Sequence, residues 1–252
     1  MTIAAMLGSC RHLNAWAALD GTLYVGAGTH LKQYIISGGT PFDVTPIRLT
    51  TAAGDATFAA ADGSTTLTVT EVGHGATAGA FVTFSGAATL GGVITADVLN
   101  IEYQIVSVTD ADTYTITSAV AANASDTGNS GASTVAEYQI AVGLDTAVVG
   151  TGWGAGAWGE GPWGGPADTT VAGADLRLWT MDNWGEDLLS NVRDGGLYYW
   201  EKSAGLGARA VALADLAGAT SAPTVARIIL VSEKDRHVIA FGCDPESGTG
   251  IQ

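Results

Sequence analysis

Basic residues are missing from half of this sequence. Between Arg48 and Arg177 there is no lysine or arginine, yet that span carries 13 of the 25 acidic residues. The full chain of 252 residues has 10 Lys and Arg and a formal charge of −15. Tight phosphate binding needs Lys and Arg to displace counterions, so a nucleic-acid-binding role is disfavoured. Charge of either sign is scarce, at 14% against about a quarter in ordinary globular chains. Apolar content is nonetheless high, at 47%, which excludes a disordered chain. The acids keep a low-charge, glycine-rich protein soluble, or form a surface that DNA slides past without sticking.

Cysteine is nearly absent. Cys10 and Cys243 alone cannot make a disulfide framework, and both read as buried thiols. Leu7-Gly8-Ser9-Cys10 has the outline of a lipoprotein cleavage box. Only nine residues precede the cysteine, however, and none is basic, so a signal peptide is not expected. No run approaches the roughly 18 apolar residues of a membrane span. The expectation is a soluble protein with no membrane anchor, assembled in the cytoplasm.

Catalytic and cofactor motifs are also missing. His12, His30, His74 and His237 stand in no metal-ligand spacing with one another or with cysteine. No Gly-Lys-Ser/Thr follows the glycine-rich stretch, and Gly26-Ala27-Gly28 is too short for a dinucleotide fingerprint. There is no Gly-x-Ser-x-Gly elbow. No catalytic residue, cofactor or metal is expected, and the chain reads as a non-enzyme.

What is present is strand and turn. Leu13 to Leu19, the turn Asp20-Gly21, Leu23 to Gly28 and Leu31 to Ile36 form short strands. Gly38-Gly39 and Pro41 punctuate before Phe42 to Arg48. From residue 49 to 142 threonine, alanine and glycine dominate. Period-two alternation marks Thr66–Val72, Tyr103–Val108, Thr113–Thr117 and Tyr138–Val142 as strands with one buried face. Phe81–Phe84 is a further candidate. Beyond the loop that follows, Leu176–Met181, Asp187–Asn191 and Leu197–Glu201 would make a three-strand meander. Ala208–Leu213, Arg227–Val231 and His237–Phe241 continue it. Only Ala208–Ala217 and Leu188–Val192 compete as helices, and both are too short to persuade.

Residues 150–166 hold eight glycines and three tryptophans, Trp153, Trp158 and Trp163, five residues apart. Neither helix nor strand has that period. The stretch reads as a long loop whose glycines allow sharp turns. Its tryptophans would pack on their own domain, anchor a subunit interface or stack on sugars. The run from Trp179 to Glu201 places aromatics around an acidic turn and a Gly-Gly turn. Asp182, Glu186 and Asp187 invite three readings. As paired carboxylates they could hydrolyse glycosides; they could bind calcium, although the EF-hand pattern is absent. The favoured reading is turn chemistry: Asp182 and Asn183 cap a turn, and Glu186 or Asp187 meets a backbone amide or an arginine such as Arg193.

These segments together resemble the tail nozzle proteins of short-tailed bacteriophages. The resemblance is carried by Trp179, Asp182, Asn183, Trp184, Gly185, Glu186, Asp187, Tyr199 and Trp200, and by Asn14–Gly21, Tyr24–Thr29, Tyr34 and Phe42–Arg48. His74–Gly86 and Asn100–Val108 resemble a module recurrent in phage tail proteins, and Trp153–Gly159 completes the pattern. The resemblance implies an all-β chain: a β-propeller-like domain formed by 1–48 and 143–252, interrupted by a small β-barrel or sandwich over 49–142. It implies a sixfold homo-oligomeric ring in the virion tail. Such a ring would lie between adaptor or portal-side proteins and fibres, and DNA would pass through its lumen unbound. It carries over no catalytic residue. A carbohydrate-binding fibre or adhesin domain is the alternative, with a polysaccharide hydrolase behind it. Removing the 94-residue insert leaves 252 − 94 = 158 residues, about four blades at roughly 40 residues each. Either the chain is a fragment or another chain completes the ring.

Overall fold

The structure is a computed structural model that describes residues 5–127, 131–143, 176–232 and 234–243. The chain forms two units, Met1–Val44 with Val142–Gln252, and Thr45–Ala141. It is all-β, built from antiparallel sheets.

The first unit opens with a four-stranded meander: β1 (Cys10–Ala17), β2 (Leu23–Thr29), β3 (Gln33–Ser37) and β4 (Thr40–Asp43). Asp20 accepts a 2.8 Å bond from the Thr22 amide, and Gly21 takes φ +83°, so the Asp-Gly turn is set by its own residues. Pro41, which cannot donate to a ladder, lies on the edge strand β4.

The second unit holds β5 (Ile47–Thr50), β6 (Thr57–Ala60), β7 (Thr66–Thr70), β8 (Phe81–Ser85), the single helical turn α1 (Ala96–Leu99), β9 (Glu102–Val108), β10 (Thr113–Thr117), β11 (Asp126–Thr127) and β12 (Val135–Gln139). They pair in the order β11-β6-β7-β10-β9-β8-β12-β5. The outermost strands β11 and β5 are not paired with each other, so the described residues form no closed barrel. The sheet folds over its own apolar face instead. Phe58 on β6 meets Phe84 on β8 edge to face, with ring centroids 4.8 Å apart. The Thr-x-Thr strands bury Leu67, Val69, Tyr114 and Ile116 and turn their threonines outward.

Glu71, His74, Tyr114 and Tyr138 form a polar cluster buried in this core, and exposed Arg48 borders it. The Tyr138 hydroxyl donates to Glu71 and lies 2.8 Å from the Tyr114 hydroxyl. Arg48, the only Lys or Arg of the unit, lies over the Tyr138 ring and donates to the His74 carbonyl at 2.6 Å. His74 packs edge to face on Tyr114 and accepts from the Ala76 amide through Nδ1. Burial lowers the His74 pKa and raises that of Glu71. The two have opposite consequences. A native histidine pKa below the unfolded value of 6.5 gives stability that is present above that pH and withdrawn as pH falls through it. The raised Glu71 favours the folded state at low pH and loses that contribution as pH rises past the ordinary carboxyl range. His74→Asn retains an acceptor for Ala76 without the titration. Between about pH 7.5 and about pH 5, its melting temperature should fall less than that of the parent chain. Equal slopes would show that His74 does not contribute to the pH dependence of stability.

After the second unit the chain returns to the first. β13 (Trp179–Trp184), β14 (Asp187–Val192), β15 (Leu197–Trp200) and β16 (Val211–Ala212) make a second four-stranded meander, followed by the hairpin β17 (Ile228–Ser232) and β18 (His237–Phe241). Of the helical contenders, Leu188–Val192 is strand, and Ala208–Ala217 contributes the end strand β16 and one 3-10 turn, Leu213–Asp215. The second meander packs face to face on the first, and the hairpin packs on the second. Successive antiparallel meanders stacked in this way are the geometry of propeller blades. The two cysteines depart from expectation. Cys10 is exposed and Cys243 half-buried, both as free thiols, because β1 is an edge strand and Cys10 lies at its irregular end.

Candidate functional site

The segment that carries the resemblance forms the junction between the two meanders. Its closest approach runs through two glycines of β2. A Cβ on Gly28 would stand 2.4 Å from the Trp179 ring, and one on Gly26 would stand 2.8 Å from Leu188. Only hydrogen at these positions lets β13 and β14 reach the first sheet. The Trp179 indole then donates to the Thr29 carbonyl at 2.7 Å, and that of Trp16 to the Glu186 carbonyl at 2.9 Å. Tyr24 lies between Trp16, at 5.6 Å, and Trp200, at 5.9 Å. Three of the four described tryptophans are therefore core of the stack.

The acids are placed by a two-residue turn, Gly185-Glu186, which closes β13 on β14 with Trp184 opposite Asp187. Gly185 at φ +63° supplies the positive φ such hairpin turns need first. Glu186 Oε1 accepts from the Leu19 amide at 2.8 Å and from Lys202 Nζ at 2.7 Å. Lys202 also holds Asp20 at 2.8 Å. Lys202 lowers the pKa of both Asp20 and Glu186, and its own is raised by them. These groups are solvent-screened, so the triad fixes geometry more than it adds stability. Asp187 accepts from the Lys202 amide at 2.8 Å and from the Tyr199 hydroxyl. Burial, with the Asp187 hydrogen bond second, raises the Tyr199 pKa.

Asp182 faces the hairpin. Its Oδ2 accepts from the Val231 amide at 2.7 Å, and Oδ1 from the Asn183 amide at 2.9 Å. Thr180 Oγ1 accepts from Ile229 in the same way, at 3.2 Å. Side chains of β13 thus cap the amides of β17 that point away from β18. Asn183 Nδ2 donates to the Gly185 carbonyl at 3.1 Å, inside its own turn. Asp182→Ala would leave the buried-edge amide of Val231 without its acceptor, a cost of about 1–3 kcal/mol. Hydrogen exchange at Val231 should quicken in that variant and change little in Asp182→Asn. Unchanged exchange in Asp182→Ala would show that the bond does not hold the hairpin.

Asp182, Glu186 and Asp187 are bonded to amides, a lysine and a tyrosine. No group of three or more His, Cys, Asp or Glu among the described residues could hold a metal ion. The expected arginine partner, Arg193, lies instead near Asp194, at 3.8 Å, and Lys202 takes its place. Trp153, Trp158 and Trp163 lie outside the described residues. Asn191 was not singled out from sequence. It is fully buried and donates to the carbonyls of Val192, Gly195, Gly196 and Ala226 at 2.8–3.1 Å. A polar residue inside an apolar strand pattern, Leu-Leu-Ser-Asn-Val, was the signal available for it.

No family model matches the chain, and no curated protein does. Among solved structures it is similar to the phage phi92 endosialidase, at 17% identity and a TM-score of 0.29. The similarity covers 75% of this chain and 28% of that one, so the chain spans little more than a quarter of the length of the structure it matches. At that score the likeness carries no argument.

Proposed function

We propose that this chain is a structural subunit of a bacteriophage tail, of the nozzle type, and not an enzyme. Subunits associate as a homo-oligomeric, sixfold ring in the virion, between adaptor or portal-side proteins and the fibres, and DNA passes through without specific binding. The observation that carries the reading is the stack itself. Part of the resemblance to nozzle proteins, within Asn14–Gly21, Tyr24–Thr29 and Trp179–Trp200, lies in the residues that join its two meanders.

Two further features support it. The unit Thr45–Ala141 contains nine acidic residues (Asp55, Asp62, Glu71, Asp97, Glu102, Asp110, Asp112, Asp126 and Glu137) and one arginine. A wall of that charge would let DNA pass rather than hold it. The outer face of the hairpin is apolar and unpartnered among the described residues. Ile228 opposes Phe241 and Leu230 opposes Ile239, all four exposed. Such a face calls for a neighbour. Heterologous contacts of a repeated subunit close into rings.

Immunogold labelling of intact virions tests the location, with signal expected at the distal tail. Turnover of a bacterial polysaccharide that is lost in Asp182→Asn would overturn the non-enzymatic part of the reading.

A further inference from the structure

Trp16, Trp179 and Trp200 are buried, and among the described tryptophans only Trp184 keeps part of its surface in solvent. It ends β13 where three recesses of about 470, 250 and 210 Å³ meet. The largest is an open cleft between the β13–β14 turn, the segment after β15 and Arg236, which directly precedes β18. Leu19, Trp184, Glu186, Glu201, Lys202 and Arg236 line it. Its size falls in the range of about 300–1,000 Å³ typical of small-molecule sites. The 250 Å³ recess on Trp184 is apolar, with Leu189, Tyr199, Leu213 and Val238 in its wall.

The cleft has spare hydrogen-bonding capacity of both kinds. The bonds of Glu186 and Glu201 are made through Oε1, so Oε2 of each is available to accept. The Arg236 guanidinium has no partner among the described residues and offers five donors. Arg236 also takes φ +51° at the hairpin turn, a conformation costly for a long side chain. Among the described residues the lining charges nearly balance: Glu186, Asp187 and Glu201 against Lys202 and Arg236 leave 3 − 2 = one negative charge. A cation or an anion would therefore gain little. A ligand whose hydroxyls both donate and accept, and which has an apolar face for an aromatic ring, would use every free group.

We propose that this cleft binds a neutral saccharide. Its C–H face lies on the Trp184 indole, and its hydroxyls bridge Oε2 of Glu186 and Glu201 and the Arg236 guanidinium. The site lies within one chain and does not depend on the tail-ring reading. The test is a glycan array probed with the full chain, followed by titration of the best neutral oligosaccharide. Binding should weaken by about tenfold or more in Trp184→Ala and in Arg236→Gly. Glycine relieves the positive φ, so the second variant should melt no lower than the parent and separates lost binding from lost folding. Three outcomes would overturn the proposal: no neutral glycan retained, retention of anionic glycans alone, or the parent's affinity kept in both variants.

Discussion

Gly28→Val will break the junction between the two meanders. Even one added carbon would stand 2.4 Å from Cδ1 and Cγ of Trp179 and 2.8 Å from the Met181 methyl. Trp179 cannot give way cheaply. It is almost fully buried, and its indole N–H is committed to the Thr29 carbonyl. Overpacking by single methylenes costs about 1–3 kcal/mol, and valine adds three carbons against a ring that cannot rotate. A loss above about 3 kcal/mol is expected, a large part of the 5–15 kcal/mol of a typical domain. Urea unfolding followed by tryptophan fluorescence reads it directly. Gly207→Ala is the matched control, because none of the described residues lies within 4 Å of its added Cβ and its φ is not positive. A Gly28→Val midpoint indistinguishable from this control would show that the sheets do not meet as described.

Trp200→Ala should cost as much by the opposite route. Trp200 is among the largest fully buried side chains, opposite Leu188 in the ladder and in ring contact with Tyr24. Truncating a buried tryptophan costs about 3–5 kcal/mol through lost transfer energy and the cavity left behind. Trp200→Phe separates volume from polarity. The indole N–H of Trp200 is buried with no hydrogen-bond partner among the described residues, so phenylalanine removes an unsatisfied donor as it gives up volume. The phenylalanine variant should retain well over half of the stability lost in the alanine variant. If the two unfold alike, the ring is not core.

The sequence was legible wherever a strand alternates. Thr66–Thr70 and Thr113–Thr117 announce themselves because every second residue is threonine, and the Asp20-Gly21 and Gly185-Glu186 turns carry their own φ requirements. Boundaries slipped where alternation fades. The strand read at Tyr138–Val142 runs over Val135–Gln139, and that read at Ala208–Leu213 shrinks to Val211–Ala212. The four residues of α1 are too few to leave a helical period. What could not be read was partnership at distance. Glu186 meets the amide of Leu19, 167 residues away, and Gly28 meets Trp179 across the whole second unit. A glycine inside a strand pattern signals close approach of something, but not of what. The acids of Trp179–Glu201 were legible as turn chemistry in kind. Lys202 as their partner was not, since Arg193 stood nearer to the turn in the pattern.

Purified full chain, imaged by negative-stain electron microscopy and weighed by light scattering, tests the central claim most directly. A sixfold ring with a central lumen, of six times the 25.4 kDa chain mass, is the predicted result. A particle that remains monomeric at high protein concentration, and is monomeric in the assembled tail, would contradict it.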